Sequence, residues 1–236
     1  GIFTLYDLID LETYDEWVNL QEVWIDRSPS LPEIKFIDGE EETYNNAYFG
    51  GGFDSDTAGV DETNRVDRIE YSTDTTVRIP GANLSQARYR LAATGNSAAG
   101  YFAGGSPGNK STVERLNYKN ETTSLLPGSP LSVSRRFLAA TGNKTTGYFG
   151  GGTTGFPEGG SGSNYSTMDK LSYSNDTIST LPASGCLSAV RYGHAATGNS
   201  AAGYFGGGRF PNPAPNGLTT MDKLSYSDDT RSTLPA

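Results

Sequence analysis

The chain has 236 residues, enough for one large or two small domains with a buried core, and is 35% hydrophobic and 19% charged, a globular composition. No run of 18 or more apolar residues offers a membrane helix, the lone Cys186 excludes an internal disulfide, and the lone His194 excludes most metal and triad chemistry. The net charge of −9 is local: residues 1–44 carry 12 acids and 2 bases, residues 45–236 carry 15 acids and 16 bases, and no basic cluster suits nucleic acid.

Residues 1–33 are predicted to form an acidic N-terminal segment. Thr13 and Glu16 have capping-box spacing, and Tyr14, Trp17, Val18 and Trp24 supply one face of a short helix. Val23–Asp26 with the Ser28–Pro32 stretch has the spacing of a degenerate copy of the second repeated module described next. The segment reads either as a docking element or as a cap over an exposed sheet edge.

Residues 34–236 are predicted to be repeats. RYRLAATGNSAAGYFAGG at 88–105 differs from RYGHAATGNSAAGYFGGG at 191–208 at three positions, RRFLAATGNKTTGYFGGG runs over 135–152, and AYFGGG ends a shorter copy at Gly52. A second module begins at Val66, Val113, Met168 and Met221 and ends each time in proline. The tyrosines of the first module, Tyr48, Tyr101, Tyr148 and Tyr204, lie 53, 47 and 56 residues apart.

Each period predicts four short strands. A small apolar strand at Leu91–Thr94 runs into a Gly95-Asn96 turn, and a second strand carries Gly100-Tyr101-Phe102. Leu171 and Tyr173 alternate with Lys170 and Ser172 in a third strand, and Asn175-Asp176-Thr177 turns the chain into a fourth that stops at Leu181-Pro182. Ile34–Asp38 is the candidate first strand of the first repeat. Helical periodicity is absent from residue 45 onward.

Adjacent Tyr and Phe point to opposite faces of a strand, so both faces of the second strand must be covered. Identical sheets stacked around an axis meet that demand as a β-propeller, with a solenoid as the competing geometry. An arginine before a small strand, a Gly-Asn turn, Tyr-Phe-Gly-Gly, a variable loop, a strand ending in tyrosine and a Leu-Pro stop together resemble kelch repeats over residues 45–236. The chain departs from that family at Ser179 and Thr180, where a tryptophan is usual. The resemblance implies an all-β, kelch-like β-propeller of four-stranded antiparallel blades, about four in this chain, in a family whose rings more often hold five to seven. The near-identity of the copies and the Ser/Thr/Asn-rich turns are similar to repeats of marine bacteriophage tail and virion proteins.

The loops between second and third strands vary in length and carry Phe53, Phe156, Tyr165, Arg209 and Phe210, so this loop face is the expected site for a ligand or partner. Arg88, Arg135 and Arg191 recur once per repeat and read either as an anion-binding ring or as ties between blades. Asp54, Asp56 and Asp61 form a weak calcium candidate in a loop that reads otherwise as solvated acid, and no other metal and no cofactor is expected. His194 stands where other copies have Leu91 and Leu138, which marks it as a packing position. Asn83, Asn109, Asn120, Asn143, Asn164 and Asn175 begin N-x-S/T triplets that read as turn chemistry. The expectation is a non-enzymatic structural and recognition module, extracellular or on a virion, such as a tail fibre. It would bind a host-surface glycan or a neighbouring virion protein, with no nucleic-acid or membrane partner. The alternative is a secreted glycosidase or lyase, which needs paired carboxylates that Asp169 and Asp222, at equivalent positions of separate repeats, do not supply.

Overall fold

The computed structural model describes residues 46–53, 62–155, 162–209 and 217–235. The expected N-terminal segment and the expected strand at Ile34–Asp38 lie outside them.

The described residues are all-β, with fifteen strands in four antiparallel sheets taken in chain order. Sheet 1 holds β1 (Asn46–Gly50), β2 (Val66–Glu70) and β3 (Thr75–Arg78). Sheet 2 holds β4 (Ala92–Gly95), β5 (Ala99–Ala103), β6 (Val113–Asn117) and β7 (Thr122–Leu125). Sheet 3 repeats this with β8 (Ala139–Gly142), β9 (Thr146–Gly150), β10 (Met168–Ser172) and β11 (Thr177–Thr180). Sheet 4 closes the series with β12 (Ala195–Gly198), β13 (Ala202–Gly206), β14 (Met221–Ser225) and β15 (Arg231–Leu234). Each sheet is a meander, because strands pair only with their sequence neighbours.

Local chemistry fixes each turn. Asn96 Oδ1 accepts hydrogen bonds from the backbone N–H groups of Ala98 and Ala99, and Asn143 and Asn199 do the same in the next two sheets. This Asx geometry sets the pairing of Thr94 with Tyr101 and its equivalents. At the turn between the last two strands an acid adopts the left-handed conformation in every sheet: Asp74 (φ 52°), Glu121 (51°), Asp176 (56°) and Asp229 (55°). The short side chain of aspartate tolerates that region better than most others, and Glu121 adopts it in sheet 2.

The sheets stack in series, and the core of the described residues is divided into three clusters, one between each consecutive pair. The alternation of Tyr and Phe drives this. Phe102 of β5 lies back among Val66, Ile79 and Leu84 of the preceding repeat, Phe149 among Val113 and Leu131, and Phe205 among Met168, Leu181 and Leu187. The neighbouring tyrosine faces forward. Tyr48 stacks on Tyr118 at 4.8 Å, Tyr101 on Tyr173 at 5.1 Å and Tyr148 on Tyr226 at 4.9 Å. Each fully buried phenylalanine contributes about 2–3 kcal/mol by area, and each stacked pair about 1 kcal/mol more.

A polar clamp accompanies every ring pair. Tyr101 donates to Asp176 Oδ1 at 2.6 Å and Tyr148 to Asp229 Oδ1 at 2.7 Å, while Tyr48 donates to Glu121 at 3.1 Å. The same acids meet a cation from the tyrosine's own sheet: Arg68 at 2.5 Å, Arg115 at 3.9 Å and Lys170 at 2.6 Å. Burial, followed by the acid's hydrogen bond, pushes the Tyr101 and Tyr148 hydroxyls well above the ordinary tyrosine range. These phenols therefore stay neutral donors. Close approach at this interface requires glycine. A Cβ on Gly203 would lie 2.5 Å from Thr141 Cγ2 of the preceding sheet and 2.7 Å from the Tyr226 hydroxyl.

Candidate functional site

The recurrent arginines occupy the links between sheets. Arg88 donates its backbone N–H to Thr63 O and accepts at its carbonyl from Gly52, both in the sheet 1 repeat, while its guanidinium bonds Gly104 O and Thr112 O of the sheet 2 repeat and pairs with Glu114 of β6. Arg135 repeats the arrangement one sheet on, with Asp169 at 2.9 Å, and Arg191 repeats it again with Asp222 at 3.2 Å. All three side chains are fully buried. Burial lowers their guanidinium pKa values, opposed by the paired carboxylate. The carboxylates are themselves satisfied, Asp169 by the Ser132 N–H and the Thr180 hydroxyl, and Asp222 by the Ser188 N–H and the Thr233 hydroxyl. Each arginine thus ties the backbone of one sheet to a buried acid of the next, and its guanidinium offers no face to an external anion.

The loops after each second strand are fastened to these same links. Tyr89 bridges Ser106, Arg136 bridges Thr153, and Tyr192 bridges Arg209, so each loop begins as an extension of the inner hairpin. Variable loops and inter-sheet links therefore share one face. Phe53 lies on it, 55% exposed, with its ring 5.1 Å from Tyr89. Arg209 is exposed beside Tyr192, between the bridges to Tyr192 and Gly217. Tyr165 is half-buried, its N–H bonded to Gly152 O and its carbonyl accepting from Arg191. Phe156, Phe210, Asp54, Asp56 and Asp61 lie outside the described residues.

What the face adds is a belt that no single loop contains. The Arg90 guanidinium carbon sits 4.7 Å above the Tyr89 ring and 4.4 Å above the Phe137 ring, and Phe137 meets Tyr192 at 6.0 Å. With Phe53, these side chains run from the sheet 1 loop to the link before sheet 4, every one of them half-buried or exposed. The backbone beneath is continuous, since Phe137 N–H donates to Arg90 O and Gly193 N–H to Phe137 O, both at 2.9 Å. Arg90, Phe137 and Gly193 all adopt left-handed φ, 60°, 56° and 60°. Only glycine takes that conformation without cost; a bulky side chain there costs about 1–2 kcal/mol. Beside them, Arg136 is buried, donating to Ser106 Oγ at 3.1 Å and Gly155 O at 2.7 Å, and so locks the loops of sheets 2 and 3 together.

The belt was not singled out in the sequence, although its signal is present. Residues 88–91, 135–138 and 191–194 read RYRL, RRFL and RYGH inside copies that are otherwise nearly the same. His194, in the third copy, is 9% exposed against Phe205 and fills the place of Leu91 and Leu138. Comparison with protein-family models and with curated proteins finds no match to this chain.

Proposed function

We propose that this chain is a non-enzymatic recognition module built as a kelch-like β-propeller, and that its loop face binds a surface glycan as part of an extracellular or virion appendage. Serial stacking of meander sheets, each with a second strand covered on both faces, supports the propeller reading. The observation that carries the binding reading is the belt: Arg90 held between Tyr89 and Phe137, with two bulky residues kept in a conformation that the third copy gives to glycine. Local strain of this kind collects at binding sites. Aromatic faces stack on the apolar face of a sugar ring, and an adjacent guanidinium donates in-plane hydrogen bonds to hydroxyls or a carboxylate. The near-neutral repeat region gives little long-range steering, so shape and stacking set the affinity. Glu114, Asp169 and Asp222 favour binding over hydrolysis, because each is committed to its own arginine in a separate sheet.

A glycan array tests this with the double variant Arg90→Gly, Phe137→Gly, which copies the sequence solution at Gly193. Removing two strained side chains should leave stability within about 1 kcal/mol. Binding to any glycan retained by the native chain should fall at least about tenfold, the loss of one good stacking or charge-assisted contact. Undiminished binding by a folded double variant overturns the belt as the site. Hydrolysis of the retained glycan overturns the non-enzymatic reading.

A further inference from the structure

Three consecutive interfaces in this molecule are built from the same parts, and the backward face of sheet 1 and the forward face of sheet 4 carry the same parts with no sheet packed on them among the described residues. The forward face of sheet 3 presents Tyr148, Met168 and Lys170 to sheet 4, and Met168 is fully buried there. Sheet 4 repeats those residue types as Tyr204, Met221 and Lys223, yet Met221 is 44% exposed. Among the described residues Lys223 meets no carboxylate, where Lys170 meets Asp229 at 2.6 Å. The backward face of sheet 4 brings Phe205, Tyr226 and Asp229 into its interface. Sheet 1 has the counterparts Phe49, Tyr71 and Asp74, with Phe49 59% and Tyr71 56% exposed, whereas Phe102, Phe149 and Phe205 are at most 3% exposed. Asp74 has the left-handed φ of its three counterparts, and among the described residues it meets no cation.

We propose that the forward face of sheet 4 receives sheet 1 of a second copy of this chain, forming a fourth interface of the same kind. Tyr71 would stack on Tyr204, Asp74 would accept from the Tyr204 hydroxyl and pair with Lys223, and Phe49 would enter beside Met221. The two faces offer one complementary charge pair, Lys223 on sheet 4 and Asp74 on sheet 1, placed as Lys170 and Asp229 are placed between sheets 3 and 4. They are also chemically matched, because sheet 4 offers the residues to which sheet 3 already binds a phenylalanine, a tyrosine and an acid. The contact is heterologous, so it propagates unless it closes. The four described sheets of two copies make eight, a number within the ordinary range of radial sheet assemblies, so two copies can close it as a two-fold ring. The interface follows from the three observed ones and does not depend on the glycan reading.

The test uses the full chain. Light scattering after size exclusion should give twice the chain mass of 25.1 kDa, falling to the monomer mass with Lys223→Asp or Asp74→Lys. Each single reversal should weaken self-association at least about tenfold, and a mixture or double variant carrying both should restore it. These residues are at the surface, so unchanged circular dichroism and thermal melting separate lost assembly from lost folding. In a Cys186→Ser background, a short bis-maleimide, which spans the length the lysine side chain covers in the template contact, should join an equimolar mixture of Asp74→Cys and Lys223→Cys chains into a covalent dimer that neither forms alone. A native monomer, or a dimer indifferent to both charge reversals and without the mixed cross-link, overturns the proposal. Intramolecular closure overturns it as well, and is recognised as a monomer in which the two cysteines on one chain link to each other.

Discussion

His194 gives a test of the repeat packing that reads a single atom group. Its imidazole fills the place that Leu91 and Leu138 fill in the other copies: a Cβ on Gly51 or Gly104 would lie 3.0 Å from Leu91 Cδ2 or 2.9 Å from Leu138 Cδ2, and one on Gly151 would lie 2.6 Å from His194 Cε1. The ring is 9% exposed, and neither nitrogen has a hydrogen-bond partner among the described residues. Burial, reinforced by the nearby Arg191 and opposed by Asp222, pushes its pKa down from 6.5 to about 4. The unfolded chain therefore binds a proton between pH 6.5 and about 4 that the folded chain refuses. The stability associated with the neutral ring is full above pH 6.5 and falls as the pH drops to about 4, by about 3 kcal/mol in total at 1.36 kcal/mol per pKa unit. His194→Leu removes this loss and an unpaired buried polar group, so it should stabilise the protein by about 1 kcal/mol or more at pH 7.5. Urea denaturation of the two proteins at pH 7.5 and 4.5 isolates the effect, because other titrating groups cancel in the difference. The advantage of the leucine variant should widen by about 2–3 kcal/mol at the lower pH. As the chain has one histidine, its imidazole resonances titrate without ambiguity. A folded-state midpoint near 6.5, or equal pH dependence of the two proteins, would refute the reasoning.

Two further substitutions probe the links and the interfaces. Asp169→Asn or Arg135→Met alone leaves the partner charge buried and uncompensated, so each should cost about 3–5 kcal/mol in urea denaturation. The double variant Arg135→Met, Asp169→Leu should recover most of that loss, and equal damage from the single and double variants would show that the pair is not the coupling element. Gly203→Ala places a methyl 2.5 Å from Thr141 Cγ2 and should cost about 1–3 kcal/mol. Adding Thr141→Ser, which deletes that methyl, should return part of it, and a melting temperature indifferent to both changes would contradict the close approach of sheets 3 and 4.

The strand pattern was legible because each strand carries its instruction in adjacent residues. Tyr101 and Phe102, being neighbours, had to face opposite ways, and one does stack forward on Tyr173 while the other lies back against Val66. Asn96 and Asn175 announced their turns through side-chain chemistry that acts within two or three residues. What stayed hidden depends on contacts between sheets. Tyr101 and Asp176 are 75 positions apart, and nothing local says that a tyrosine of one repeat reaches the turn acid of the next. Arg88 and Glu114 are separated by 26 positions, and the acid changes from Glu114 to Asp169 and Asp222, which hid the pairing behind a residue difference. The candidate site was half legible. Loop length and aromatic content marked Phe53 and Arg209, but the belt takes residues from the same short segment of successive repeats, and only stacking brings Arg90 over Phe137.

The same stacking explains where the copies can differ. A residue that faces the next sheet must fit a neighbour of fixed shape, so Gly100, Gly147 and Gly203, and the tyrosines that follow them, Tyr101, Tyr148 and Tyr204, recur unchanged. A residue on the link, such as Tyr89 or Arg90, touches mainly its counterparts along the rim, and can vary without disturbing any core cluster. Variation at these positions therefore leaves the core clusters intact, at about 1–2 kcal/mol of backbone strain where Arg90 or Phe137 stands in place of Gly193, and it is available for recognition. His194 breaks that rule: it lies one position beyond the rim, packs against Phe205 inside an interface, and carries a polar ring where the other copies have leucine. If its cost were structural alone, leucine would serve better there. Loss of binding in the His194→Leu protein, with stability raised, would extend the recognition surface from the belt inward.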